Sequence, residues 1–128
     1  MKIDLHCHTK QIKSGDGSGR NVTIELFRQK VIDADVKIIA ITNHNVFDYE
    51  QFKLFADAVS HECQLWPGIE IDIQQPNSRK WHLVVVANPD NTEMFSERVE
   101  RLFHGKNLET CTCTIQEVYE ALNDCDTI

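Results

Sequence analysis

A chain of 128 residues, 41% hydrophobic and 26% charged, has room for one compact domain at most and is neither disordered nor membrane-spanning in composition. Its apolar runs stay well short of the ~18 residues a membrane-crossing helix needs. Thirteen Lys and Arg against 20 Asp and Glu leave a formal charge of -7, which disfavours a tight, sequence-independent grip on nucleic acid or an anionic membrane. Bound cations would invert the local field and still admit a phosphate ligand.

Strand-like and helix-like segments alternate along the chain, the pattern of an α/β architecture. Lys2 to His8 alternates, with Ile3, Leu5 and Cys7 on one face and Asp4, His6 and His8 on the other. A glycine-rich loop follows, Ser14-Gly15-Asp16-Gly17-Ser18-Gly19. Thr23 is placed to cap a helix reaching about Ala34, with Ile24, Phe27, Val31 and Ile32 at helical spacing. Val36 to Thr42 is a β-branched apolar run suited to a strand covered on both faces. Asp48 caps the next expected helix, whose stripe is Phe52, Phe55, Ala56 and Val59.

Gln64 to Ile73 reads as a third strand interrupted by Pro67-Gly68, and Pro76-Asn77-Ser78 marks a turn. Trp81 to Ala87 returns too soon for a crossover, so it should pair with the third strand as an antiparallel hairpin. After the break at Asn88-Pro89-Asp90, Phe95, Val99, Leu102 and Phe103 mark a helix over about Thr92 to Phe103. The last helix opens with the capping box Thr114-Ile115-Gln116-Glu117 and buries Val118, Ala121 and Leu122. Asp126-Thr127-Ile128 stands where another strand would begin. A full parallel barrel needs ~250 residues, so the chain reads either as a small open sheet or as part of something larger.

Five cysteines (Cys7, Cys63, Cys111, Cys113, Cys125) form no CxxC pair, and Met1-Lys2 runs straight into the strand-like Ile3-Asp4-Leu5-His6 without an apolar leader. Both point to a reduced, cytoplasmic chain. Cys111 and Cys113 read as buried thiols rather than as half a zinc site, and Cys7, opposite His6 and His8, should pack against a helix.

The six histidines carry more information in their placement than in their number. In a strand, residues i and i+2 point the same way about 7 Å apart, so His6 and His8 can converge on one cation or stand as two exposed strand histidines. His44 ends the apolar run Lys37-Ile38-Ile39-Ala40-Ile41-Thr42, where the carboxyl end of a strand delivers residues to a site or merely ends polar. Glu70, between Ile69 and Ile71, is costly to bury unless a cation or donors meet it, and otherwise lies on a solvated face. His82 opens the fourth strand opposite that region, and Asp16 follows the first strand. Such a set of nitrogen and oxygen donors suits zinc, manganese or iron. His61 and His104 read as structural, near helix ends.

In order, Asp4-Leu5-His6-Cys7-His8-Thr9, Asp16-Gly17, Ala40-Ile41-Thr42-Asn43-His44-Asn45, Pro67-Gly68-Ile69-Glu70-Ile71 and Trp81-His82-Leu83 resemble the motifs of the PHP (polymerase and histidinol phosphatase) superfamily. The resemblance covers roughly residues 2 to 87. It implies the amino-terminal part of a distorted (β/α)7 barrel, about four strands with flanking helices, so that residues 1–128 are one incomplete domain lacking the later strands and motifs. It implies His6, His8 and Glu70 as ligands of one divalent ion, Glu70 bridging to a second that His82 also binds, and Asp16 and His44 helping to hold a third. Asp4 and Asn43 would support the ligands from behind, a simple structural role for Asp4 being as open. Asn43 replaces the aspartate usual in the family.

The activity implied is hydrolysis of a phosphate mono- or diester by metal-activated water, weak or absent in these residues alone. The expected partner is a small phosphorylated substrate or nucleotide, with no membrane and with nucleic acid possible but not favoured by charge. Self-association or a remaining barrel half would cover exposed edges. Arg20, Lys10 and Lys13 read first as solvated loop charges, with substrate phosphate contact as the other reading. The rival functions are a regulatory domain that binds metal without turnover, and a proofreading or repair nuclease domain of a larger enzyme.

Overall fold

The computed structural model describes residues 1–14, 16 and 21–128, so most of the glycine-rich loop and Arg20 lie outside the described residues. Four strands form one sheet in the order β1 (Lys2–Cys7), β2 (Val36–Ile41), β3 (Gln64–Ile73), β4 (Trp81–Val86). The first three run parallel and β4 returns antiparallel to β3. This hairpin is the one the short Gln74–Lys80 connection requires. Helices α1 (Ile24–Ala34) and α2 (Tyr49–Ala58) make the parallel crossovers, and α3 (Thr92–Phe103) and α4 (Ile115–Leu122) follow β4. The sheet is the curled half-barrel expected of an α/β protein of this kind.

Local chemistry fixes the helix starts. Thr23 Oγ1 accepts the Leu26 N–H at 3.2 Å, and Asp48 Oδ1 accepts the Gln51 N–H at 3.0 Å. At α4 the capping box closes both ways, Thr114 taking the Glu117 N–H and Glu117 taking the Thr114 N–H. Helix α1 stops at Asp35, which adopts a left-handed φ of 52°.

Period-two alternation divides β3. Ile69, Ile71 and Ile73 are fully buried and join Phe27, Val31, Phe52, Phe55, Phe95, Val99 and Leu122 in the core between sheet and helices. Phe27 and Phe55 stack across α1 and α2 with centroids 4.7 Å apart. Glu70 and Asp72 therefore point to the other, concave side, and they too are buried.

Pro67-Gly68 does not interrupt β3, which runs unbroken for 10 residues. It marks a change of partner instead: Pro67 is the last residue registered with β2, opposite Ile41, and Gly68 the first registered with β4, opposite Val86. Two other expectations shift slightly. His44 lies beyond the end of β2 as an isolated parallel bridge to Glu70, and the first strand ends at Cys7, one residue before His8. At the carboxyl end, Val86 and Ile128 exchange backbone hydrogen bonds of 3.0 and 2.9 Å along the outer edge of β4.

Candidate metal centre

Where the parallel strands end, side chains from five segments meet on the concave side. His6, on β1, and His8, one residue past its end, project together with rings 4.9 Å apart, keeping the i, i+2 relation of a strand. The edge-to-face row continues from His8 to His44 at 4.8 Å and from His44 to His82 at 5.1 Å. Beneath it lies the Glu70 carboxylate. Its Oε2 is 2.7 Å from His8 Nε2, 3.3 Å from His44 Nε2 and 3.6 Å from His6 Nε2, and its Oε1 is 2.7 Å from His82 Nδ1. Asp16 reaches the cluster from the loop after β1, with Oδ1 3.2 Å from His44 Nε2.

The six candidate ligands thus converge. They fall into three overlapping groups, His6–His8–Glu70, His8–Asp16–His44 and His44–Glu70–His82, in each of which the donor atoms lie within 4.8 Å of one another. Ligands around one zinc, each about 2.0–2.2 Å from it, lie within about 4.4 Å of each other, a difference that small side-chain rotations close. The donors are imidazoles and carboxylates without thiolate, a set suited to zinc, manganese or iron. His44 Nδ1, buried, has no hydrogen-bond partner among the described residues, and four imidazoles crowd one acid. The residues present fit divalent ions.

The charge balance is local. Burial works against ionised Asp16, but the N–H groups of Ile12 and Lys13, each 2.8 Å from Oδ2, outweigh it with help from His44 and His8 and hold its carboxyl below the ordinary range. Burial pushes the His44 imidazole below its usual value, against the pull of Glu70 and Asp16, so its neutral, ligating form is favoured.

The expected supporting residues act through the backbone. Asp4 Oδ1 accepts the His6 backbone N–H at 3.0 Å and does not reach an imidazole. Asn43 touches no ring either; its Oδ1 accepts the N–H groups of Thr9 and Lys10 at 2.8 and 3.0 Å, and its amide donates to Thr9 Oγ1 at 3.1 Å. His82 stands directly opposite Asp72, not Glu70, and reaches Glu70 on the diagonal.

Lys10 and Lys13 are not solvated loop charges. Lys10 Nζ binds Asp48 at 2.7 Å, and Lys13 Nζ binds Asp72. Arg20 lies outside the described residues. Cys7 packs towards α1, where burial and then the nearby Asp4 charge raise its thiol to about 11. Cys111 and Cys113, raised by burial, join none of the clusters among the described residues, and His61 and His104 are exposed away from the site.

Sequence reasoning missed three contributors. Asp72 is fully buried beside His82; its spacing of two from Glu70 placed it on the same face, a signal left unused. Thr42 Oγ1 lies 3.1 Å from His6 Nδ1 and also accepts the Cys7 N–H. Asn45, at a left-handed φ of 53°, accepts the Asp72 N–H at 3.1 Å, a contact no local pattern announces.

A curled, mostly parallel half-barrel with imidazoles and acids gathered at its strand ends defines a barrel-type α/β protein with candidate metal ligands along one rim. Residues 4–124 match the PHP domain, and the chain belongs to that family. No curated protein matches the sequence. Among solved structures, a protein from Bifidobacterium adolescentis, provisionally described as a metal-dependent phosphoesterase, aligns over 99% of this chain and 64% of its own with a TM-score of 0.58 and 12% identity. An amidohydrolase from Chromobacterium violaceum aligns over 80% of this chain and 35% of its own, with a TM-score of 0.50 and 18% identity. The chain therefore spans about one third to two thirds of these structures, and the likeness is one of fold. None of the described helices is long and apolar enough to cross a membrane.

Proposed function

We propose that this chain carries the metal-binding half of a phosphoesterase that hydrolyses a phosphate mono- or diester with a metal-activated water, the substrate being a small phosphorylated molecule or nucleotide. One observation carries the reading: a single buried carboxylate, Glu70, has ring nitrogens of four histidines within 3.6 Å. Membership of the PHP family and the description of the B. adolescentis relative support it.

His6, His8 and Glu70 would hold one ion, Glu70 and His82 a second, and Asp16 with His44 a third. Divalent ions there would supply Lewis-acid activation of water and neutralise charge on phosphoryl oxygens. The chain's own residues set the approach. His6 and His82 have half-exposed side chains while Glu70 and His44 are buried, so a phosphate ester reaches the cluster from the His6 and His82 side. Burial of Glu70 excludes water from behind the ligands and strengthens their hold.

The test is metal content of the complete protein together with its hydrolysis of a generic phosphomonoester and phosphodiester in added manganese. Metal uptake with turnover is expected, and His8→Ala or Glu70→Ala should remove both. Metal uptake without turnover in the complete protein would favour the regulatory reading. Unchanged metal content and rate in both variants would reject the site.

A further inference from the structure

Asp72 has no part in the ligand set above, yet it is the most enclosed charge beside it, with no exposed side-chain surface. Its two oxygens face different company. Oδ2 takes the ammonium groups of Lys13, from the loop after β1, and of Lys80, from the β3–β4 connection, the latter at 3.2 Å. Two ammonium groups meeting one oxygen of a carboxyl without exposed surface favour its anionic form. Oδ1 lies 3.2 Å from His82 Nε2 and 3.9 Å from His44 Nδ1. Asp72 Oδ1 and His44 Nδ1 are also two of the buried polar atoms without a hydrogen-bond partner among the described residues. Leaving both unpaired is costly, and a small ring rotation would join them.

The other nitrogen of each ring faces the proposed ions: His44 turns Nε2 to Asp16 and Glu70, and His82 turns Nδ1 to Glu70. We propose that Asp72 is a positioning residue of this centre, accepting His44 Nδ1–H and His82 Nε2–H so that the opposite nitrogens are free to ligate, and anchoring through Lys13 the loop that carries Asp16. The inference rests on the metal-binding reading above. A neutral imidazole has one N–H, and an acceptor on one side decides which nitrogen keeps its lone pair. The assignment is sharp because the two rings need opposite tautomers. The Lys13 branch follows from the same chain of contacts, since the backbone N–H groups of Ile12 and Lys13 bind Asp16 Oδ2.

The substitution Asp72→Asn separates this role from mere packing. The lysines would draw the amide oxygen to themselves and turn its NH2 towards both rings. Each ring must then offer a lone pair there, which moves its proton to the ion-facing nitrogen. Long-range 1H–15N spectra of the zinc-loaded 128-residue chain, above the imidazole titration range, should show His44 as Nδ1–H and His82 as Nε2–H, whereas Asp72→Asn must shed the ion-facing proton of each ring before it can reach that state. Zinc titration should show an affinity lower by about 10–100-fold with unchanged stoichiometry at saturation.

Wild-type tautomers opposite to these overturn the proposal with no variant needed. So do unchanged metal-free tautomers and affinity in Asp72→Asn, or the loss of a whole zinc equivalent, which would make Asp72 itself a ligand. If Asp72→Asn does not fold, Lys13→Gln serves: both tautomers should persist while zinc affinity falls several-fold, and unchanged affinity would overturn the anchoring role. A wild-type chain that takes up no zinc would refute the metal reading, while a change in the metal-free tautomers of His44 and His82 on Asp72→Asn would leave their pairing with Asp72 intact.

Discussion

Asn43 accepts the backbone N–H of Thr9 at 2.8 Å, so the residue before one candidate ligand, His44, fixes the backbone immediately after another, His8. The same oxygen takes the Lys10 N–H at 3.0 Å, and the Asn43 amide donates to Thr9 Oγ1. The substitution Asn43→Ala would strand a buried N–H and a partly buried one and should destabilise the protein by about 2–4 kcal/mol. Asn43→Asp keeps the acceptor and should lie within about 1 kcal/mol of wild type, since the Thr9 hydroxyl, now donating 2.7 Å to Gln51, can turn to the new carboxylate. Urea denaturation of the two variants checks both. Equal losses would mean that the amide, not its oxygen, carries the anchor.

The substitution Gly68→Ala tests the change of partner in β3. A Cβ there would meet Thr42 Cγ2 at 2.8 Å and the carbonyl oxygens of Val85 and Ile41 at 3.0 and 3.1 Å, two of them backbone atoms that cannot swing away. The expected cost is about 3 kcal/mol. Gly105→Ala is the contrast: it has open space but a φ of +72°, so its cost is about 1 kcal/mol of backbone strain. A thermal melt that ranked the two the other way would place the close approach elsewhere.

This junction shows what a single sequence conveys. The elements and their starts were readable because each depends on near neighbours: Thr23 and Asp48 cap within three residues, and Phe95, Val99 and Phe103 repeat along one helix face. The ligands His6 and His8 were readable for the same reason, as a two-residue period. Pro67-Gly68 misled because proline and glycine usually punctuate, whereas here glycine admits two neighbouring backbones, a fact of packing. Asp72 and Thr42 were passed over because their importance lies in what crosses from other segments, Lys13, Lys80 and His6, and separation along the chain hides such contacts. On β3, Glu70 was legible between Ile69 and Ile71, whereas Asp72, one period further along the same face, needed the fold.

The Asp48 cap should give α2 a measurable dependence on pH. Burial works against its charge, but the Gln51 N–H and the Lys10 ammonium outweigh that, so its pKa in the folded protein is lowered from 3.8. A depressed folded pKa contributes stability above the unfolded value and loses it as pH falls through the folded one. Asp48→Ala should therefore cost about 1 kcal/mol at pH 7, chiefly from the cap, with the partly exposed Lys10 pair adding a few tenths. The gap between variant and wild type should stay constant from pH 7 to about 5 and close below about 4. Denaturation midpoints across that range provide the measurement, and a gap that widened in acid would contradict the assignment.

Glu70 ties the imidazoles together, so ion binding should register as stability. Any ligand that binds the folded chain alone adds RT ln(1 + [L]/Kd), about 2.7 kcal/mol at one hundred times Kd. For a domain of this size that is a rise of roughly 10 °C in melting temperature. Manganese or zinc should produce such a rise, and a chelator should reverse it. Glu70→Gln should abolish most of the rise, because the amide keeps the shape of the side chain but removes the charge that His8 and His82 each approach to 2.7 Å. Magnesium at the same concentration should do less, since it favours oxygen donors and the rim offers mostly nitrogen. A Glu70→Gln chain that gained as much as the wild type would show that the ions sit elsewhere.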